Sequence, residues 1–412
     1  MTNKNVIVGQ SGGPTSVINS SLAGVYAGAR SAGLGKIYGM RNGIKGFLER
    51  RTIDMGEYIK DEVDLELLKR TPSSFLGSCR YKLPSLEDGE EVYAQIFKIL
   101  DEMGIGYFFY IGGNDSMDTI MKLSKYAESK NSPIRFMGVP KTIDNDLAVT
   151  DHSPGFGSAA KYIATTIKEL ILDAQVYNNG AVTVVEVMGR NAGWLTAASA
   201  LSRCGNNSMG PDLIYLPELD FSVDKFLDKV AKISNQSPGH SPTVVVSEGL
   251  RLADGRYVNE IASENDIVDA FGHKQLTGTA SYLSKEIHRV LGVRTRAIEF
   301  ATIQRSAAHL QSLVDVTEAF AVGQAAAKAA AEGATNRVII IKRLSTDPYA
   351  FGVDAMEIEK MANIEKTVPL EWITPDGDYI TKEYMDYARP LIQGEVTPYI
   401  VGGMPRHLVL PR

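Results

Sequence analysis

Three polar clusters carry the residue types that phosphate chemistry needs. Pro140-Lys-Thr-Ile-Asp-Asn-Asp146 holds two carboxylates two positions apart, Asp144 and Asp146, with Lys141 beside them. In an extended segment such residues face the same side, roughly 7 Å apart. One could then take a proton from an attacking hydroxyl while the other helps to hold a metal ion. Lys141 would place a compact positive charge against phosphate oxygens. The same composition also suits a solvated Asp/Asn turn. Gly112-Gly-Asn-Asp-Ser116 removes side-chain bulk at Gly112 and Gly113, where a ligand could approach, and continues with Asn114, Asp115 and Ser116. Asp115 and Ser116 could equally cap a helix. Ser11-Gly12-Gly13 reads either as a tight strand-to-helix turn or as a phosphate cradle built from backbone N–H groups and the dipole of the helix that follows.

Each cluster comes directly after a short apolar run that reads as a strand, at 5–8, 107–111 and 135–139. Helical periodicity is expected over 15–32, which carries small residues along one side for close packing, and over 90–103 and 116–129, with a short strand at 37–40. The second half repeats the style. Strands are expected at 182–187, 243–246 and 337–341, and helices at 157–176, 193–202, 275–291 and the alanine-rich 312–332. Alternation of this kind predicts an α/β fold with largely parallel sheets. In doubly wound sheets ligands bind at the carboxyl ends of the strands, so the three clusters predict one shared site.

Composition sets the outer bounds. A chain of 412 residues has room for two lobes. Its 43 basic and 49 acidic side chains leave a net charge of −6, with no electrostatic reason for a general affinity for nucleic acid. The two cysteines, Cys79 and Cys204, lie far apart and are expected to be buried small side chains in a reducing compartment. No Cys or His spacing suggests zinc, and the histidines show no ligand spacing. The N-terminus runs into Val6-Ile-Val8 without a signal-peptide pattern, and no apolar run approaches a membrane span, so a cytoplasmic protein with no membrane partner is expected.

Further motifs make the pattern specific: Phe75-Leu-Gly-Ser-Cys-Arg80, Val187-Met-Gly-Arg190, Ser247-Glu-Gly249, Thr295-Arg296 and Ile303-Gln-Arg305. Together with the three clusters, and in this order from Val6 to Arg305, they resemble the phosphofructokinase family, and more closely its pyrophosphate-dependent branch. The resemblance implies two Rossmann-like lobes with the active site in the cleft between them. Residues 1–150, with part of the C-terminal region, would form the larger, donor-binding lobe, and 151–345 the sugar-phosphate lobe. Residues 346–412 would be an extension whose packing the sequence does not specify. It implies phosphoryl transfer to the 1-hydroxyl of fructose 6-phosphate, with Asp144 as the base, Asp146 organising Mg²⁺ and Thr142 touching the transferring group. Gly12, Gly13, Arg80, Gly113, Asn114 and Ser116 would bind the donor. Met188, Gly189, Arg190 and Glu248 would meet the sugar, with Arg190 also neutralising the transferring phosphate. Arg296 and Arg305 would clamp the 6-phosphate. Part of such a clamp usually comes from a neighbouring subunit, which implies a homodimer or homotetramer with shared active sites.

Two positions bear on the donor. ATP-using members typically read G-G-D-G-S, where the later glycine leaves room for the α-phosphate; here Asp115 puts bulk and charge in that place. They also tend to carry glycine where Lys141 stands. Both point to pyrophosphate, through repulsion of the wrong donor. Three positions depart from the family pattern: Asn114 replaces a metal-linked aspartate, Ala181 a common arginine, and Thr302 a frequent histidine. An amide oxygen at 114 can ligate Mg²⁺ or one of its waters without contributing charge. An ATP-dependent 6-phosphofructokinase and a non-catalytic sugar-phosphate-sensing subunit are the alternatives. Lipid and NAD kinases share a similar glycine turn but lack the partners of the other motifs. Trp194 is expected in the core.

Overall fold

The computed structural model describes residues 4–177, 179–205, 209–236, 239–261 and 278–411. In chain order the strands of its two larger sheets are Asn5–Gln10 (β1), Ile37–Met40 (β2), Thr52–Asp54 (β3), Ile105–Gly112 (β4), Arg135–Pro140 (β5), Val182–Val187 (β6), Leu213–Tyr215 (β7), Thr243–Ser247 (β8), Thr295–Glu299 (β9), Arg337–Thr346 (β10) and Tyr349–Glu357 (β11). A seven-stranded sheet has the order β11-β10-β5-β4-β1-β2-β3, and a four-stranded sheet the order β7-β8-β6-β9. The smaller sheet is parallel throughout. The larger is parallel at its centre, with β3 and β11 antiparallel at its two edges.

Register explains why distant motifs meet. Gln10 pairs with Ile111, and Gly112 with Pro140. Strands β1, β4 and β5 therefore end at one level, and Ser11, Gly113 and Lys141 leave the sheet side by side. The ladder continues past the strand ends: Ser11 N–H donates to the Ile111 carbonyl and Lys141 N–H to the Gly112 carbonyl, each at 2.9 Å. In the second sheet Val187 pairs with Ser247, which brings Met188 next to Glu248. The central strands can be apolar along their whole length because helices cover both faces of a parallel sheet; Phe108, Phe109 and Ile111 of β4 are fully buried.

The small residues expected to allow close packing do so between the helices Ile18–Ser31 and Leu313–Ala331. A Cβ on Gly24 would lie 2.1 Å from the Phe320 carbonyl oxygen, and one on Gly323 would lie 2.2 Å from that of Ser21. Backbones this close exclude any side chain at either position.

Several sequence expectations are corrected. The first helix starts at Ile18, not at 15, because Pro14-Thr-Ser16 continues the loop. The 116–129 helix starts at Asn114, so Asn114, Asp115 and Ser116 lie in its first turn. Residues 193–202 split into an α-helix, Trp194–Ala198, and a 3-10 turn, Ser199–Arg203. The 275–291 helix begins at Thr279; 275–277 lie outside the described residues. The helices Glu62–Arg70 and Val223–Gln236 and the strands β7, β9 and β11 were not anticipated.

The largest difference concerns the end of the chain. Strand β10, placed within 151–345 by the sequence reading, pairs with β5 in the larger sheet, and β11 extends that sheet. Residues beyond it cross over: Val368, Ile373, Ile380, Tyr384, Ala388 and Leu391 are buried in one apolar cluster with Phe156 and Trp194. Trp194 is a core residue, as expected, with Nε1–H donating to the Lys366 carbonyl at 3.0 Å. Cys79 and Cys204 are half-buried and form no disulfide, so neither is the fully buried side chain expected.

Candidate active site

The strand ends of both sheets open into one cavity of about 700 Å³. Its walls include Gly12, Gly13, Arg80, Gly113, Asn114, Asp115, Ser116, Lys141, Thr142, Asp144, Asp146, Met188, Arg190, Glu248 and Arg305. All the sequence-derived site residues are thus brought together except two. Gly189 sits just behind the wall, with its N–H donating to Glu248 Oε1 at 3.2 Å. Arg296 is elsewhere on its own chain: more than half exposed on β9, it faces Asp173 at 3.4 Å.

Local geometry accounts for the placements. Gly12 is left-handed, at φ +74°, and Gly112 has no space for a Cβ, which would lie 1.8 Å from Ser116 Oγ. Ser116 instead hydrogen-bonds Ser11 across the two turns and does not cap its helix. Asp115 makes no capping hydrogen bond either. The helix that opens directly onto the cavity is Asn114–Ser129, whereas four residues separate Gly13 from the helix after the first turn. The dipole expected behind Gly12 and Gly13 thus belongs to the second turn. The 144–146 segment is not extended, because Asn145 is left-handed at φ +54°. Asp144 and Asp146 line the cavity nevertheless.

The electrostatics are those of charges withdrawn from water. Lys141 is buried, and Nζ–H donates to the Gly13 carbonyl at 2.6 Å. Burial pulls its pKa down to about 8, against the pull of Asp144. Burial likewise raises the Asp144 carboxyl, opposed by Lys141, Arg305 and Arg190. Asp146 is pushed up to about 7 by burial and by Asp144. Glu248 is pushed up to about 8, mainly by burial and despite the Gly189 N–H. Burial and the neighbouring Arg80 lower Arg305. Carboxyls and cations held this far from their ordinary ranges in one cavity are poised for proton transfer and anion binding.

Comparison with known proteins gives the family. The family model described as phosphofructokinase matches residues 5–330. The chain belongs to the phosphofructokinase family. It is 40% identical over 414 residues to the pyrophosphate--fructose 6-phosphate 1-phosphotransferase of Methylococcus capsulatus, covering 100% of this chain and 96% of that protein. The crystal structure of the pyrophosphate-dependent phosphofructokinase from Nitrosospira multiformis matches with a TM-score of 0.87 and 37% identity, over 100% of this chain and 98% of that one. The corresponding enzyme structure from Marinobacter aquaeolei gives 0.86 and 36%, over 99% and 98%.

Some wall residues of this phosphofructokinase site were not read from the sequence. Asn363 and Glu365 reach the cavity from the segment after β11. Glu365 pairs with Leu147 through its backbone, and its side chain accepts from Asn191 Nδ2 at 3.2 and 3.3 Å. No periodicity or motif in that segment announces a ligand-facing residue, and only the crossing of the chain between the two sheets places it there. Asn191 itself, next to Met188-Gly-Arg190, could have been included by proximity.

A metal can be tested against the donor atoms. Among the described residues, no group of three or more His, Cys, Asp or Glu side chains could hold a metal ion. However, Asn114 Oδ1 and Asp146 Oδ1 are buried without a hydrogen-bond partner among the described residues, and a lone buried oxygen costs about 1–3 kcal/mol. These are hard oxygen donors, and Mg²⁺ characteristically takes one or two protein ligands, waters and substrate phosphates rather than a full protein cage. The residues fit such an ion. Among the described residues, no helix is long and apolar enough to cross a membrane.

Proposed function

We propose that this chain reversibly transfers a phosphoryl group from inorganic pyrophosphate to the 1-hydroxyl of fructose 6-phosphate, giving fructose 1,6-bisphosphate and phosphate, in the presence of Mg²⁺. The observation that carries the reading is the pairing of Asp115 and Lys141 in the wall that also holds Asp144. A carboxylate in the first turn of Asn114–Ser129 repels the additional phosphate of a nucleotide, and a buried ammonium beside Gly13 favours a compact dianionic end group. The relatives named above for pyrophosphate support the same donor.

The chain's own groups divide the work. Asp144, raised by burial, accepts the proton of the sugar hydroxyl as that oxygen attacks phosphorus, and Thr142 contacts the moving group. Lys141, Arg190 and Arg80 oppose the charge of the donor and the leaving phosphate. Pyrophosphate would lie over Gly12, Gly13, Gly113 and Ser116. Asn114 and Asp146 would hold Mg²⁺, which when bound offsets pyrophosphate charge. Glu248 and Met188 face the sugar, with Gly189 behind the wall steadying Glu248 through its N–H, and Arg305 faces the 6-phosphate. Arg296 would complete the clamp of a neighbouring copy in a homodimer or homotetramer; its position outside its own chain's cavity supports that role. Unpaired half-buried cysteines accord with a reducing cytoplasm.

A donor-exchange assay on purified protein tests this. Pyrophosphate should saturate the forward reaction while ATP supports little or none, and Asp115→Gly should raise ATP-dependent turnover by roughly tenfold. Turnover with ATP at least equal to that with pyrophosphate would assign the chain to the nucleotide-dependent branch.

A further inference from the structure

Within the 141–146 segment, five residues line the cavity and one does not: Asn145 is fully buried on the other side. Its side chain bonds in two directions. Oδ1 accepts from Ser153 N–H at 2.9 Å, and Nδ2–H donates to the Tyr387 hydroxyl at 2.8 Å. Tyr387 lies in the helix Lys382–Ala388, near the end of the chain, and its hydroxyl donates to the Asp151 carbonyl at 2.8 Å.

Behind Tyr387 is an ionic cluster that the reaction does not use. His152 is 1% exposed, with Nδ1 2.7 Å from Asp151 Oδ2 and Nε2 2.6 Å from Glu318 Oε2. Both ring nitrogens face carboxylate oxygens, so both carry protons and the ring is an imidazolium. Arg343 donates to Asp151 Oδ2 at 3.0 Å and to the Tyr387 carbonyl at 2.9 Å. From the same side Lys366 N–H donates to the Asp146 carbonyl at 2.7 Å, while Nζ–H donates to the Asp151 carbonyl at 2.9 Å.

We propose that Asn145, held by Tyr387 and anchored on the Asp151–His152–Glu318 cluster, is a positioning residue that sets Asp144 and Asp146 against the substrates. This rests on the phosphotransferase reading above. Asparagine tolerates a left-handed conformation, but glycine would adopt the same φ more freely. The side chain of Asn145 therefore has work to do beyond the turn, and its two hydrogen bonds supply it. A displacement of about 1 Å at a reacting group can cost 100-fold in rate.

Asn145→Gly separates the two roles, because it preserves the backbone conformation and removes the pin. In the pyrophosphate assay kcat should fall at least about tenfold, with KM for fructose 6-phosphate within about twofold and the active fraction unchanged. The charges facing Asp144 (Lys141, Arg305, Arg190, Glu365, Asp146 and Glu248) are all retained in the variant. Tyr387→Phe, which removes only a hydroxyl, decides the matter if Asn145→Gly does not fold; about threefold loss of kcat with KM for fructose 6-phosphate again unmoved is expected. Wild-type kcat in the folded variants would overturn the inference, as would a kcat loss matched by a loss of active fraction or by a parallel rise in KM. Failure of the wild-type enzyme to use pyrophosphate would instead count against the functional reading.

Discussion

Two groups of carboxylates, only a few residues apart in the chain, have been driven in opposite directions. Asp146, at the cavity, is pushed up to about 7 by burial and by Asp144. Asp151, behind the same loop, would also be raised by burial, but His152 and Arg343 outweigh it and hold it at about 2. His152 in turn would be lowered by burial, yet Glu318 and Asp151 carry it up to about 9. The contrast teaches that desolvation alone does not distinguish a reactive site from a structural one. What distinguishes them is whether the partner charge belongs to the protein or has to arrive with the substrates. The cavity group is a cost to the unliganded fold and the rear group a support for it, a division typical of catalytic sites.

The largest effect that could break this comparison is expected at Asp144. Asp144→Asn should lower kcat on the order of 10³-fold, the loss of a general base, yet should raise the thermal midpoint at pH 8 by about 2–4 °C, the equivalent of about 1 kcal/mol. Loss of both activity and stability would place Asp144 with the structural group. Next in size, His152→Ala should destabilise the protein by about 3–5 kcal/mol by leaving two facing carboxylates, read as a lower urea midpoint. An unchanged midpoint would mean that the rear cluster is not an anchor.

The smallest expected effect is the pH dependence of stability, which sharpens the comparison by sign. The folded pKa of His152 is raised, so its contribution is full below its unfolded value of 6.5 and lost as pH rises through about 9. That of Asp151 is depressed, so its contribution is present above 3.8 and lost as pH falls toward about 2. Asp146 is an acid with a raised pKa, which favours the fold only while protonated, and this advantage disappears as pH rises from 3.8 through about 7. Thermal midpoints of the ligand-free protein should therefore decline from pH 5 to pH 10. The decline below about pH 7.5 should flatten in Asp146→Asn, and the decline near pH 9 should vanish in His152→Ala. Unaltered slopes in both variants would remove the assignment.

Most of the cavity wall was legible because it is written locally. A strand followed by glycine and polar residues puts those residues at a sheet end, and parallel strands in register put several such ends together. That logic put Gly12, Gly113, Lys141 and Asp144 in the cavity wall, and the family resemblance added Met188 and Glu248, which line it as well. It fails where one residue's conformation departs from the regular pattern: Asn145 is left-handed within a stretch that reads as extended, and the helix after Gly13 starts only at Ile18, too far on to lend that turn its dipole.

The sequence by itself determined the alternation of strands and helices, the glycine-rich turns at the strand ends and the family, since each depends on residue types over a short span. Only the tertiary structure decided that the end of the chain crosses between the two sheets, that Asn363 and Glu365 line the cavity while Lys366 and Tyr387 bond to the loop behind it, and that Arg296 stands outside its own cavity. Those facts follow from which surfaces bury one another over hundreds of residues, and no local periodicity encodes that choice.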